Sequence, residues 1–241
     1  MKAIYGFCCE QGMGRITCQD RVFFRRHNIK GLNIYAIAAC DGVGQLEGSS
    51  VASQLVSDFM DDWFNTNVLS ITPTPAIFCN NAQLVLEDLQ YGLLEVLWAA
   101  HQHIVDACIS AATTVCSMLV VNNLYCIFSS GDSRIYEIGR SVRQLTEDQI
   151  VEHNGITTLK HCLGCSAGPN FARIDGKIRK GSTYLLVTDG FYRKLNYSDA
   201  ALLFNKCRSF DDIAAIVHSL REYVLSEHES DDMSCVAIKF I

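Results

Sequence analysis

Two runs of this chain, Ile34–Cys40 and Tyr184–Thr188, are almost free of polar side chains, and each stops on Asp-Gly, at Asp41-Gly42 and Asp189-Gly190. Short continuous apolar runs mark strands buried on both faces. A fold that contains them needs a layer on either side of each strand, and it delivers the following carboxylates from rigid, buried elements. Other aspartates sit alike: Gly131-Asp132 follows Cys126-Ile-Phe128, Asp20 ends Ile16-Thr-Cys-Gln19, and Asp231-Asp232 opens the last apolar stretch. Taken singly, Asp-Gly is a turn dipeptide, and Asp175-Gly176, in the mixed polar context Ala172–Lys177, is read as one. Carboxylates at the ends of buried strands are a different case, because unpaired they are costly and several together repel. A divalent cation relieves both problems, and hard oxygen ligands suit Mg²⁺ or Mn²⁺. A glycine after the aspartate permits close backbone approach, so its carbonyl is a further candidate ligand.

Composition narrows the class. With 241 residues the chain suits one domain, 1–241, with a full core. It is 49% hydrophobic and 19% charged, which excludes a disordered or collagen-like chain. The net charge of -6 argues against nucleic-acid or anionic-membrane binding. No apolar run approaches the roughly 18 residues of a membrane span, and the N-terminus lacks the apolar stretch of a signal peptide. Most of the 12 cysteines lie inside apolar runs, as small hydrophobes do. The expectation is a reduced, cytoplasmic protein without membrane or nucleic-acid partners. Cys162-Leu-Gly-Cys165 has Cys-x-x-Cys spacing but no second ligand pair, and is read as coincidence in a cysteine-rich chain. The histidines form no metal-spaced cluster; His101 and His103 cannot share a helix face.

The element order follows from periodicity. Ala3–Cys8 and Thr17–Phe24 read as strands, then Ile34–Cys40. Ser49–Phe64 carries an amphipathic stripe, and a second helix is expected from near Pro75 towards Cys108, with Gly92 a candidate bend. Period-two patterning returns at Thr114–Val121, Leu124–Ser129, Arg134–Ile138 and Ser141–Leu145, then Ser182–Thr188. Helices Ser198–Cys207 and Phe210–Ser226 and a strand Cys235–Ile241 complete the chain. Meanders punctuated by helix pairs indicate an α+β layered fold rather than βαβ units.

In this order the motifs resemble those of the metal-dependent protein Ser/Thr phosphatases of type 2C. Arg15-Ile-Thr-Cys-Gln-Asp20 looks like the first motif, and Ala39-Cys-Asp41-Gly42-Val-Gly44 with Gly48 and Ala52 looks like the second. Ala112-Thr-Thr114, Ser130-Gly-Asp-Ser-Arg134, Gln144-Leu-Thr-Glu-Asp148, Leu185-Leu-Val-Thr-Asp-Gly190 and Asp231-Asp232-Met-Ser234 resemble the rest, so the match spans essentially the whole chain. The resemblance implies a four-layer αββα sandwich, two antiparallel sheets flanked by helix pairs, with the site at one edge between the sheets. It implies two Mn²⁺ or Mg²⁺ ions: Asp41 bridging them, the Gly42 carbonyl on one, Asp189 and Asp231 completing the first, and Asp20 acting on the second largely through water. Asp132 with Asp189 resembles the ligands of a third, weaker ion in bacterial members. Arg15 would bind the substrate phosphate, for which its planar fork is suited. Gln19 and Asp232 would support the ligands. The implied reaction is hydrolysis of phosphoserine and phosphothreonine in proteins by a metal-activated water, with phosphorylated proteins and an opposing Ser/Thr kinase as partners of a monomeric chain.

Four positions depart from the family pattern. Val43 stands where animal members carry histidine, Gln45 replaces a glycine, Gln19 replaces a frequent glutamate or asparagine, and Asp232 replaces an asparagine, which leaves Asp231 favoured as ligand by register. The stretch between Leu145 and Ser182 is short, so a reduced substrate flap is expected. The departures at Val43 and Gln45 motivate the alternative, a non-catalytic relative that uses the fold as a regulatory binding module.

Overall fold

Along β3 (Leu32–Cys40), Ile34, Ala36, Ala38 and Cys40 pack under helices while Tyr35, Ile37 and Ala39 pack against a second sheet. That is why its sequence is apolar on both periods. The computed structural model describes residues 2–13, 15–44, 46–70, 81–107 and 110–241. One sheet has the order β10-β5-β4-β3-β2, from β2 (Arg21–Ile29), β4 (Val115–Val121), β5 (Leu124–Ser130) and β10 (Ala172–Lys177) with β3. The other is β1-β12-β11-β6-β7, from β1 (Ala3–Glu10), β6 (Arg134–Ile138), β7 (Val142–Gln144), β11 (Thr183–Val187) and β12 (Met233–Phe240). All pairings are antiparallel. A separate hairpin joins β8 (Ile150–His153) to β9 (Ile156–Leu159).

Helix α1 (Ser49–Trp63), continued by a π-helical turn at Phe64–Leu69, and α2 (Ala82–Asp106) cover the first sheet. The second is covered by α4 (Tyr197–Lys206) and α5 (Phe210–Ser226); α3 (Asp189–Tyr192) is a single turn after β11. The core is therefore three apolar layers: helix–sheet, sheet–sheet and sheet–helix. This is the αββα sandwich. No described helix is long and apolar enough to cross a membrane.

Several boundaries differ from the sequence reading, each for a local reason. The strand expected over Thr17–Phe24 runs instead from Arg21 to Ile29. Its outer half, Arg25-Arg26-His27-Asn28, is polar because β2 is an edge strand, and polarity conceals it. A two-residue turn with positive φ at Lys30 (48°) and Gly31 (86°) returns the chain to β3, the geometry that matches strand twist. Asp175-Gly176 lies inside β10, opposite Cys126 and Tyr125, and is no turn. Pro75 lies outside the described residues; α2 opens at Ala82, where the Asn81 side chain accepts from the N–H groups of Gln83 and Leu84. Gly92 does not break that helix. A Cβ there would stand 2.8 Å from Trp63 Nε1, so glycine sets the α1–α2 approach.

Gly92→Val should therefore lower stability by about 1–3 kcal/mol through overpacking, read as a reduced midpoint in urea unfolding. Ser209 and Asp212 form a capping box on α5, and Ser209→Ala should cost about 1 kcal/mol in the same assay.

Candidate active site

Strand register collects the aspartates. Arg21 pairs with Cys40, so Asp20 before β2 and Asp41 after β3 lie side by side at one end of the first sheet. Val187 pairs with Cys235, which sets Asp189 beside the Asp231-Asp232 approach to β12 in the second sheet. The β5–β6 connection passes between the sheets at this same edge and carries Asp132. A cavity of about 780 Å³ opens there, lined by Arg15, Asp41, Asp132, Asp189, Arg193 and Asp231, with Asp20 buried behind.

The cavity is electrostatically strained. Burial pushes the Asp20 carboxyl well up, against the hydrogen bond from Thr188. Asp41 is pushed up by burial and then by Asp20, Asp189, Asp132 and Asp231. Burial, Asp189 and Asp148 raise Asp132 to about 6, opposed by Arg193. Asp189 is raised by burial, with Arg193 opposing and Asp231 adding to it. Asp20 Oδ2 accepts from Thr188 Oγ1 at 2.7 Å, yet Asp20 Oδ1 and Asp189 Oδ1 are buried with no hydrogen-bond partner. Orphaned, acceptor-only oxygens among mutually repelling carboxylates are the donor set of a hard divalent cation. Among the described residues no three acidic, histidine or cysteine side chains converge closely enough to form a ready metal cage. Two of the carboxylates are instead turned toward arginines: Asp231 Oδ1 pairs with Arg15, and Asp189 Oδ2 with Arg193.

The two adjacent aspartates have different surroundings. Asp232 is buried and accepts the Gly12 N–H on Oδ1 and the Gln19 N–H on Oδ2, both at 2.7 Å. It clamps both ends of the loop that carries Arg15. Asp231 faces the cavity. Arg15 also reaches the Gln19 Oε1 at 3.2 Å and the Gly44 carbonyl at 3.4 Å. Gly42 donates its N–H to the Gln19 carbonyl at 3.2 Å, and a Cβ on it would stand 2.7 Å from that oxygen. Thr114 fixes Asp41: its N–H donates to the Asp41 carbonyl at 2.8 Å and its Oγ1 accepts the Asp41 N–H at 3.2 Å. Two further motifs meet each other. Arg134 donates to both oxygens of Asp148, at 2.6 Å from Nη2 to Oδ2, and its guanidinium stacks 3.7 Å from the Tyr192 ring centre, which holds the Asp132 connection.

Sequence reasoning missed several lining residues. Arg193 caps a single helical turn, too short for periodicity to show. The β8–β9 hairpin places Ile150, Thr157, Thr158 and Leu159 over the cavity, where a reduced flap was expected. Its turn residues Asn154 and Gly155 both have positive φ, and Asn-Gly is the strongest short-range hairpin signal. Cys162 and Cys165 line the wall, and Cys165 Sγ donates to the Cys162 carbonyl at 3.0 Å. Cys9 precedes Arg15 with the Cys-x5-Arg spacing of thiol phosphatases, but its thiol faces Cys18 at 3.7 Å and the Asp20 carbonyl, and Gly12 within that span is committed to Asp232.

The profile of the protein phosphatase 2C family matches residues 14–230. No curated protein sequence matches the chain. Among solved structures it is similar to a Streptococcus agalactiae serine/threonine phosphatase, with a TM-score of 0.80, 16% identity and all of both chains covered. The Mycobacterium tuberculosis serine/threonine phosphatase PstP superposes with a TM-score of 0.72 at 19% identity over 99% of this chain and 98% of that one. The catalytic domain of PstP in complex with two manganese ions gives 0.69 at 19% identity over 98% and 97%. The match over most of the chain, together with this fold, shows that the chain belongs to the protein phosphatase 2C family.

Proposed function

We propose that this chain is a protein phosphatase that hydrolyses phosphoserine and phosphothreonine with two Mn²⁺ or Mg²⁺ ions. The observation that carries the reading is the gathering of Asp20, Asp41, Asp189 and Asp231 at one edge of the sandwich, with two buried carboxylate oxygens, Asp20 Oδ1 and Asp189 Oδ1, left unpartnered. Asp41, the Gly42 carbonyl, Asp189 and Asp231 would hold the ions, and Asp20 would act on one of them through water. When bound, such ions supply an acidified water positioned for in-line attack on phosphorus. The structure of PstP with two manganese ions supports this assignment by similarity of fold.

The chain's own residues do the rest. Arg15 exchanges its bond to Asp231 for the substrate phosphate, which its fork can grip through two oxygens. Gln19 and the Gly44 carbonyl keep the guanidinium over the cavity meanwhile. Asp232 keeps the Arg15 loop in register and stays out of the ligand set, since both its oxygens are spent on backbone N–H groups. Val43 lines the cavity and holds no exchangeable proton, so the leaving alkoxide takes its proton from water. Phosphorylated proteins are the proposed substrates, and a Ser/Thr kinase the opposing activity. The non-catalytic alternative draws on the arginine that occupies Asp231; it requires that Mn²⁺ fail to displace Arg15 from it.

Purified protein should hydrolyse p-nitrophenyl phosphate and a phosphothreonine peptide when Mn²⁺ is added and lose that activity in EDTA. No turnover with any divalent metal, together with no calorimetric Mn²⁺ binding, would leave the binding-module reading standing. Arg15→Ala should reduce kcat by about 10²–10³-fold, the usual effect of removing one donor to developing charge.

The raised carboxyl groups set a pH dependence for the metal-free protein. Asp132 titrates near 6 in the folded chain against 3.8 unperturbed. Between these values the folded state binds more protons than the unfolded state, so stability falls as pH rises through that window. In EDTA, Asp132→Asn should flatten the decline of Tm between about pH 4 and pH 6. An unchanged slope would mean that Asp132 is not strained.

A further inference from the structure

The proposed reaction leaves Arg193 without a task, although its guanidinium stands in the middle of the acids. Nη2 pairs with Asp189 Oδ2, and Nη1 lies 3.7 Å from Asp231 Oδ2. The same cation pulls the Asp132 carboxyl down against burial and its acidic neighbours. Its placement is not accidental to a loose loop. Arg193 follows Asp189 by four residues, its N–H donates to the Asp189 carbonyl at 3.0 Å, and the i,i+4 relation returns the side chain over the carboxylate. Tyr192, the residue before it, is locked under the Arg134 guanidinium. The Arg193 side chain is 50% exposed and that of Asp189 11%, so the guanidinium covers the carboxylate from the solvent side.

Asp189 is divided between two uses. Oδ2 is taken by Arg193, while Oδ1 is buried and unpartnered. One oxygen therefore remains for a metal ion and the other is already neutralised. A divalent ion shared by Asp132 and Asp189 would have to displace a guanidinium that is always charged and is tethered at high effective concentration.

We propose that Arg193 is a built-in cation that takes the place of a third divalent ion at the Asp132–Asp189 corner, so that the site fills with two ions. This rests on the two-ion phosphatase reading above. Arg193 is then a positioning residue: it neutralises the outer oxygen of Asp189 without drawing on the medium's divalent metal.

Equilibrium dialysis against millimolar Mn²⁺, with bound metal counted by atomic emission, tests it without reference to activity. The wild-type chain should bind two ions. Arg193→Gln should bind three, Arg193→Lys two, and the double variant Arg193→Gln/Asp132→Asn two again. Three ions in the wild type, or two in Arg193→Gln, overturn the proposal. If Arg193→Gln does not fold, as judged by circular dichroism, the wild-type count still decides, and Arg193→Met serves as a second neutral variant. A wild-type count below two overturns the two-ion reading itself, and this inference with it; that deficit is distinct from the surplus that would overturn the inference alone.

Discussion

Carboxylates delivered by strands buried on both faces repel one another in a medium that screens poorly, and the rest of this structure answers to that repulsion. Coulomb energy at short range is several times larger at a protein's effective dielectric than in water. Asp41 is raised first by burial and then by four other aspartates. The chain can relieve such a cluster only by protonation, by internal cations or by bound ones, and it has the groups for all three. Asp132 titrates close to neutrality, Arg15 and Arg193 pair with Asp231 and Asp189, and two carboxylate oxygens stay unpartnered. Under the proposed reading, the same repulsion would supply affinity for a divalent ion, because ligands that bind only the folded state stabilise it by mass action.

The neighbouring pair Asp231-Asp232 shows how one residue step separates two tasks. At the entry to β12, Asp232 points into the protein and Asp231 into the cavity. The inward carboxylate is satisfied by two backbone N–H groups and so is fixed. It fixes in turn the loop from Gly12 to Gln19, from which Arg15 projects. An asparagine offers a single oxygen where these two N–H groups use both carboxylate oxygens, so its amide would face the second N–H donor to donor. The acid at this position therefore has a structural reason independent of any metal.

Much of this was legible in the sequence. The apolar run of β3 required two flanking layers, which the helix–sheet and sheet–sheet cores supply. The aspartates at strand ends, read in order with the Gly-Asp-Ser-Arg and Asp-Gly motifs, were enough to place Asp41, Asp132, Asp189 and Asp231 in one cavity. What escaped has physical causes. The outer part of β2 and all of β10 are edge elements with polar, exposed positions, so alternation does not reveal them. The β8–β9 hairpin is almost entirely exposed and has no core face to pattern it. Arg193 is placed by four residues of helix, below the length at which periodicity means anything, and only its spacing from Asp189 carried the information.

The division of labour between backbone and side chain is the last step. Around the cavity the backbone connections are closely packed: a Cβ at Gly190 would stand 2.2 Å from the Asp232 carbonyl, at Gly12 2.3 Å from the Ser230 carbonyl, and at Gly42 2.7 Å from the Gln19 carbonyl. The glycines are where three connections touch, and they hold the aspartates to a frame with little freedom. Arg15 is the opposite. It reaches Asp231 through a long, partly exposed side chain and can leave its partner without disturbing a strand, whereas Arg193 is returned over Asp189 by the turn that follows β11. A closely packed anionic frame with a movable Arg15 is a site in which the exchange of that cation for another costs side-chain rotation rather than refolding. Under the proposed reading, that is the property a cavity needs to take divalent ions, and then a phosphate, at the same few carboxylates.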